Sequence, residues 1–480
     1  MKGDFTRDTF VATKHYTGVL LQQGRVQLDA DLNEQSSIAR YRMRQLAADV
    51  IGRHGGPAGA LGFGLTDDES VIDTLADRYG RPLEAARADA LRERLRNSDF
   101  LIGTGRYYVD GLMCENDEAL SYGQQAGYPF DADTDLFSLR RVSKFLVYLD
   151  VWEQHVTMLD DDGIREVALD GPDTATRSQL VWQVKVLRPR DGQKQVDDSD
   201  LDAFAARAWS GLRARAKVPP DTTEDCTTDP EAAYRGAENQ LYRVEIHRGG
   251  PGRADDPAAA DGATFVWSRE NGSVTFDVVT LEESPADKTI SVALASLGRD
   301  DSLGLAVGDW VEIVDEPTVL RQLGGELRRV NAILPDELTV VLDGVLDVDL
   351  DLSGPVILRR WDHGGDVAAD NALPVIESDL TAPRWLRLED GVEVLFEAES
   401  IPGLANEYRV GDYWLIPARV ATGDVEWPQE EPAGAQPVPA ALPPRGVQHV
   451  YAPLAQASMT AAGALTIGTD FRKAFAGIAV

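Results

Sequence analysis

The longest uninterrupted pattern in the chain is a helical one. From Leu32 to Ile51 there is neither Gly nor Pro, and Leu32, Ser36, Ala39, Met43, Leu46 and Val50 recur at alternating spacings of four and three. That spacing lines the six up along an α-helix as a heptad seam, with small residues in its first half and larger ones in its second. The seam spans fewer than three heptads, too short for a free-standing coiled coil. Two readings therefore stand: an amphipathic helix packed on its own domain, or a helix that meets copies of itself or a neighbouring subunit. Ahead of it, Val19-Leu20-Leu21 and Arg25-Val26-Gln27-Leu28 read as two short strands around a turn at Gln22-Gln23-Gly24. Asp29, Asp31 and Asn33 stand where a helix start needs an acceptor for its free N–H groups. The strand-turn-helix unit is the candidate assembly element. Its interface residues are Arg25, Asp29, Asp31, Leu32, Asn33, Glu34, Ala39, Met43, Leu46 and Val50. Asp29-Ala30-Asp31-Leu32-Asn33 also opens like an EF-hand calcium loop. The sixth position is Glu34 where such a loop needs Gly, and the twelfth is Arg40 where it needs Glu, so calcium is rejected there.

Beyond Gly52 the helical signal fades. Val71 to Tyr79 and Leu83 to Arg96 read as short helices, and then short apolar runs separated by Gly or Asp-Gly take over. Lys144 to Val151 reads as a buried strand, Ile164 to Leu169 as another, and Leu180 to Leu187 as a half-buried one. Leu201 to Lys217 reads as a helix, followed by a Pro/Thr/Asp-rich segment from Pro219 to Pro230. The run Leu305 to Val314, then Gly324 to Val330, then Leu338 to Leu342 has the pattern of a small SH3-like or related barrel. The expected fold is mainly β with an N-terminal helical segment (α+β), built as several small β-sandwich or barrel-like domains. The expected divisions are a helical assembly region (1–98), a β-rich domain (99–300) with an insertion at 188–239, and a β domain (301–426) with the barrel at 303–345. A Pro-rich linker (427–446) and a C-terminal β tail (447–480) complete the chain.

Composition limits the partners. At 480 residues the chain exceeds what one core sustains. Its formal net charge of −33 repels nucleic-acid phosphate and anionic lipid, so neither is an expected partner. The start of the chain has no apolar signal core and no run of about 18 apolar residues occurs, so cytoplasmic production without membrane insertion is expected. Cys114 and Cys226 lie far apart without a metal-ligand spacing and are expected to be free thiols. The six histidines show no HxH, HExxH or HxxxH pattern, no Gly-x-Ser-x-Gly elbow occurs, and the Gly-rich stretch from His54 to Gly64 lacks the Gly-Lys-Ser/Thr of a phosphate loop. No catalytic residue, metal ligand or cofactor site is assigned. Asp347, Asp349 and Asp351 would share one face of a strand, with Val348, Leu350 and Leu352 on the other, and read as a solvated face. Trp152, Trp182, Trp267 and Trp310 lie in apolar strand patterns and read as core.

The stretch Gly18 to Gln35, GVLLQQGRVQLDADLNEQ, resembles the start of a domain family encoded with phage-tail-like contractile injection systems. More distantly it is similar to phage baseplate and tail-fibre proteins, which begin with an F-D-P-x-K-x-Y box, an R-P-G-R stretch and an E-L-N-E helix start. Phe10, Lys14 and Tyr16 match the box while Val11 and Ala12 depart from it. Gly24-Arg25 and Leu32-Asn33-Glu34 match the other two elements. The first resemblance continues through Tyr148 to Trp152, Gly171 to Arg177, Asn239 to Glu245 and Trp267 to Ser273. It implies a structural subunit at a baseplate, its surrounding shell or a fibre attachment, with other subunits of the particle as partners. Symmetric assembly of such particles implies a homo-oligomer, three-fold or six-fold. The alternative is a carbohydrate-binding or carbohydrate-active β protein that uses paired carboxylates and exposed aromatic rings.

Overall fold

The computed structural model describes residues 5, 9–97, 99–127, 139, 144–189, 196–205, 210–217, 233–252, 262–300, 302–365, 367–398, 405–431, 437–461 and 464–476. The protein is mostly β with an N-terminal helix, and it divides into two compact units, each made from separated stretches of chain.

One unit gathers 5–154, 178–206 and 448–480. Its four-stranded sheet places Val450–Met459 between Leu465–Asp470 and Phe145–Val156, with Arg177–Leu187 on the outer edge of the last. Alternation divides this sheet cleanly. Phe145, Val147, Leu149 and Val151 face one core with Tyr107, Cys114 and Leu454, while Leu146 and Tyr148 face another with Leu201 and Val196. The exposed edge is partly closed by a side chain: Gln125 accepts the Val184 N–H at 2.7 Å and donates to its carbonyl at 3.0 Å, as a neighbouring strand would. The C-terminal tail pairs within its own chain, Ala474–Phe475 lying parallel to His54–Pro57. Helix α1 spans Asp29–Ile51 and α2 spans Ala85–Arg96; the helix read from Val71 to Tyr79 is a 3₁₀ turn over Glu69–Thr74.

The other unit holds 155–177 and 207–447, with the first four residues of the chain outside the described set. Its centre is a closed barrel of six antiparallel strands: Thr275–Ser284, Thr289–Leu294, Thr339–Asp343, Glu326–Leu334, Trp310–Asp315 and Val356–Trp361. The three-strand module read from the sequence supplies half of it. Closure comes from the pairing of Phe276 with Leu358, which no local pattern announces. A five-stranded sheet around Gln240–Arg248 and a smaller one around Val392–Glu397 complete the unit.

Several local readings change. Leu201 to Lys217 is not one helix: α3 spans Asp198–Ala205, and Gly211–Ala216 is a strand. Leu212 and Ala214 face the core while Arg213 and Arg215 pair across to Glu397 and Glu393, so partner strands override a helix-forming composition. Ile164 to Leu169 is not a strand but two 3₁₀ turns that expose Val167 and Leu169. Asp347, Asp349 and Asp351 lie outside any strand; Leu346 and Leu350 turn onto the barrel core while Val348 and Leu352 are exposed. Described residues of the stretch read as an extended linker, 427–431 and 437–444, are packed: Trp427 is buried, and Leu442 exchanges two backbone hydrogen bonds with Leu212. Cys114 is a buried free thiol, whereas Cys226 and the segment from Pro219 to Pro230 fall outside the described residues.

Candidate assembly surface

Helix α1 starts and stops where its sequence provides the means. Leu28 is extended, with φ −105° and ψ 151°, and its N–H reaches the Asp31 carboxylate at 3.3 Å. Asp29 and Asp31 lie in the first turn, where negative charge favours the helix dipole. Gly52 ends the helix at φ 91°, its N–H donating to the Ala48 carbonyl at 2.8 Å.

Of the 23 helical residues only Ala30 and Ile38 are buried. The inner face is held by few and small contacts. Arg44 Nε donates to the Asp110 carbonyl at 2.8 Å, and Gly111 comes so close that a Cβ there would lie 2.2 Å from the Arg44 carbonyl oxygen. Its φ of 77° also calls for Gly. Arg40 meets Glu153 at 3.2 Å. The segment before the helix runs beside it. Thr9 donates to Glu34 at 2.5 Å, the Phe10 and Tyr41 rings lie 5.7 Å apart, and the Val19 N–H reaches Gln35 at 2.7 Å.

The seam lies on the opposite side. At about 100° per residue its six positions fall within about 40° of one line, and Ala30, Ser37 and Ala48 lie across the helix from it. Leu32 is 56% exposed, Met43 72%, Leu46 64% and Val50 62%, and Ser36 and Ala39 are exposed between them. Full burial of one such large side chain is worth about 1.5–3 kcal/mol, so the seam holds out an apolar contribution that its own chain does not collect. Among the polar interface candidates, Arg25, Asp29 and Asn33 are exposed, while Asp31 and Glu34 are half-buried and engaged with Leu28 and Thr9. Arg25 makes no ion pair among the described residues, so the structure does not bring it to the acids of the first turn.

Sequence reasoning missed the continuation of this surface. Residues 19–28 form no strand; only the turn is present, with the Arg25 N–H reaching the Gln22 carbonyl at 3.3 Å. Leu20, 90% exposed, together with Leu21, Val26 and Leu28, extends the apolar surface beyond the helix. The signal was available: two short strands without a third have little to stabilise them, so their apolar residues had no core of their own.

Of the remaining motif segments, Gly171 to Arg177 stays at the surface, and the other three lie largely inside. Asp150 lies 2.6 Å from His449 Nδ1 and 2.6 Å from Lys185 Nζ, beneath Trp152. Burial would raise its pKa, but His449 and Lys185 outweigh burial and hold it below the usual carboxylate range. No described hydroxyl or thiol hydrogen-bonds the other His449 nitrogen, so the arrangement offers a buried charge cluster and no nucleophile. Arg243, Val244 and Glu245 pair with the strand Thr264–Ser268, and Gly272 packs so tightly that a Cβ would lie 2.3 Å from Arg359. Trp152 and Trp267 are buried; Trp182 and Trp310 are half-buried, the first bonded to the Glu115 carbonyl and the second stacked on His363. The two buried rings, Trp152 and Trp267, are not free to floor a sugar site. Among the described residues no group of three or more His, Cys, Asp or Glu is arranged to hold a metal, and no helix is long and apolar enough to cross a membrane.

A family model matches residues 1–207 and 198–465, and the chain therefore belongs to that family, one of unknown function designated DUF6519. No curated protein and no solved structure matches it.

Proposed function

We propose that the protein is a structural subunit and not an enzyme, and that it enters a larger particle through the outward seam of α1. The particle is a phage-tail-like contractile injection machine, and the subunit sits at its baseplate, surrounding shell or fibre attachment. The observation that carries the reading is the exposure of Leu32, Met43, Leu46 and Val50 along one line of a helix whose other face already holds it to its unit. A row of large apolar residues facing water marks a partner-binding surface more often than an ordinary one. The particle itself is suggested by the resemblance of Gly18 to Gln35 and the later motif segments. The net charge of −33 suits basic protein partners and disfavours nucleic acid. Assembly takes place in the cytoplasm, and the finished particle is released or docks at a membrane.

The double variant Met43→Asp, Leu46→Asp tests this reading. Both positions are exposed, so the variant is expected to stay soluble and to keep the circular dichroism of the parent. Co-purified with the other particle components, it is expected to be missing from the particle. A folded variant that assembles normally sinks the proposal, and an unfolded one assigns the seam to the protein's own core.

A further inference from the structure

Read along the helix, the seam is self-complementary in size. Reversed, its six positions superpose on themselves, because the spacings four, three, four, three, four are the same in both directions. An antiparallel second copy would set Leu32 against Val50, Ser36 against Leu46 and Ala39 against Met43, and the same three layers would then repeat by symmetry. Each small residue would meet a large one, so the separation of the helices stays even and the layers interdigitate. In a parallel pair each residue would meet itself. Ser36 and Ala39 would leave the first half hollow while Met43, Leu46 and Val50 crowd the second.

Charge supports the same direction at the ends. The antiparallel copy brings the acidic first turn, with Asp29 and Asp31, beside Arg53, which follows the end of the partner helix just past Gly52; the last turn itself carries Asp49 and no basic residue. Arg53 is exposed and paired with the equally exposed Asp202 at 2.8 Å, which leaves it able to share a second carboxylate. A parallel pair would gather the first-turn acids of both copies at one end. The cost lies at the centre, where Arg40 and Arg42 of one helix approach the same residues of the other. Arg40 is already neutralised by Glu153 at 3.2 Å, and Arg42 is exposed to solvent that screens it.

We infer that the occupant of the seam is the α1 of a second copy of this chain, running antiparallel about a two-fold axis near Tyr41. The inference rests on the reading of α1 as an assembly surface and adds the identity and direction of the partner. An isologous contact of this kind closes on itself, and a three-fold or six-fold particle accommodates it by building with pairs. The inner face, where Ala30 and Ile38 pack, stays with its own unit.

The test uses the full chain in a Cys226→Ser background with Leu32→Cys or Val50→Cys, both exposed positions that leave the inner face intact. Under mild oxidation the two variants mixed are expected to give a cross-linked dimer joining one to the other, and neither alone is expected to cross-link. Self-cross-linking of each alone, with no mixed product, would establish a parallel pair and overturn the inference. Sedimentation equilibrium of the unmodified chain separates this result from failure of the wider reading. A concentration-dependent dimer is expected, lost in Met43→Asp, Leu46→Asp. A monomer at every concentration overturns the inference, and if the same double variant is still excluded from the particle, the assembly reading stands with a different partner.

Discussion

On the outer face of α1 large apolar side chains face water, whereas between the strand Gln240–Arg248 and the barrel charged side chains are withdrawn from it. Glu245 is largely enclosed, with Arg243 on one side and both Arg359 Nη atoms at 3.2 and 3.3 Å on the other. Glu312 accepts from Trp361 Nε1 at 2.9 Å and from the Gly325 N–H at 2.9 Å, with His247 at 3.5 Å. Arg243 lies 3.5 Å over the Tyr413 ring and Arg359 4.2 Å over Trp361. Both regions break the ordinary sorting of residues, and the comparison shows the difference between a debt settled within the chain and one left open. Glu245 and Glu312 are each matched by neighbours of their own chain, and the buried Arg243 Nη1 is left to the face of the Tyr413 ring. The seam has no such match among the described residues.

The largest effect is expected where a matched charge is removed. Glu245→Ala strands Arg243 and Arg359 in the interior, and denaturant unfolding is expected to show a loss of about 3–5 kcal/mol. The acid limb follows from the same residue. Burial would raise the Glu245 pKa, but Arg243 and Arg359 outweigh it and hold it at about 2. A depressed carboxylate stabilises the fold above its ordinary pKa of about 4.3 and loses that contribution as the pH falls through the folded value. The parent is therefore expected to lose stability between about pH 5 and pH 2, with a shallower slope in Glu245→Gln. Equal slopes in the two proteins would show that the network is not matched as described.

How far either region was legible in the sequence depends on how local its cause is. The helix was legible because Leu32 to Ile51 repeats within itself. Its facing was not, because heptad spacing is blind to what lies behind a helix. The inner face uses Ala30, Ser37 and Ala48, residues too small to register as a core stripe, beside the single large Ile38. The glycine that lets the inner face close, Gly111, is remote in sequence and reads there as part of a hairpin turn. The charge networks were invisible for another reason. With 80 Asp and Glu in the chain, nothing local distinguishes Glu245 from an exposed neighbour; burial follows from the register of Gln240–Arg248 between two partner strands. The alternating apolar pattern of Trp310–Asp315 placed it in a barrel, but the other half of that barrel required pairings that only the fold supplies.

A smaller, opposite effect is expected at Asp412, a half-buried acid without an adequate cation. Burial pushes its pKa up to about 7, and Arg409 only partly opposes it. Its surroundings are close, since a Cβ on Gly446 would lie 2.1 Å from its Oδ1. A raised carboxyl favours the fold fully below its ordinary pKa, near 4, and that contribution is lost as the pH rises through about 7. Asp412→Asn removes the titration, so the variant's Tm is expected to gain on the parent's between pH 5 and pH 8. A gap that does not change with pH would show that Asp412 is ionised throughout.

The smallest effect is expected on the seam, and its smallness is what the comparison needs. Ile38 and Met43 lie five residues apart on the same helix, one buried and the other 72% exposed. Ile38→Ala removes a packed side chain from the inner face and is expected to cost about 2 kcal/mol, the low end for such a change because the surrounding contacts are sparse. Met43→Ala removes a side chain that touches mostly solvent and is expected to fall within about 0.5 kcal/mol of the parent. The better helix propensity of Ala offsets what little packing is lost. Both are measured by denaturant unfolding at low protein concentration, where pairing of copies adds nothing to apparent stability. Raising the concentration is then expected to separate the parent from Met43→Ala, since only the parent keeps the full seam to bury against a partner. If Met43→Ala costs as much as Ile38→Ala in the dilute protein, the seam is packed by its own chain, and the contrast between a matched interior and an unmatched surface fails.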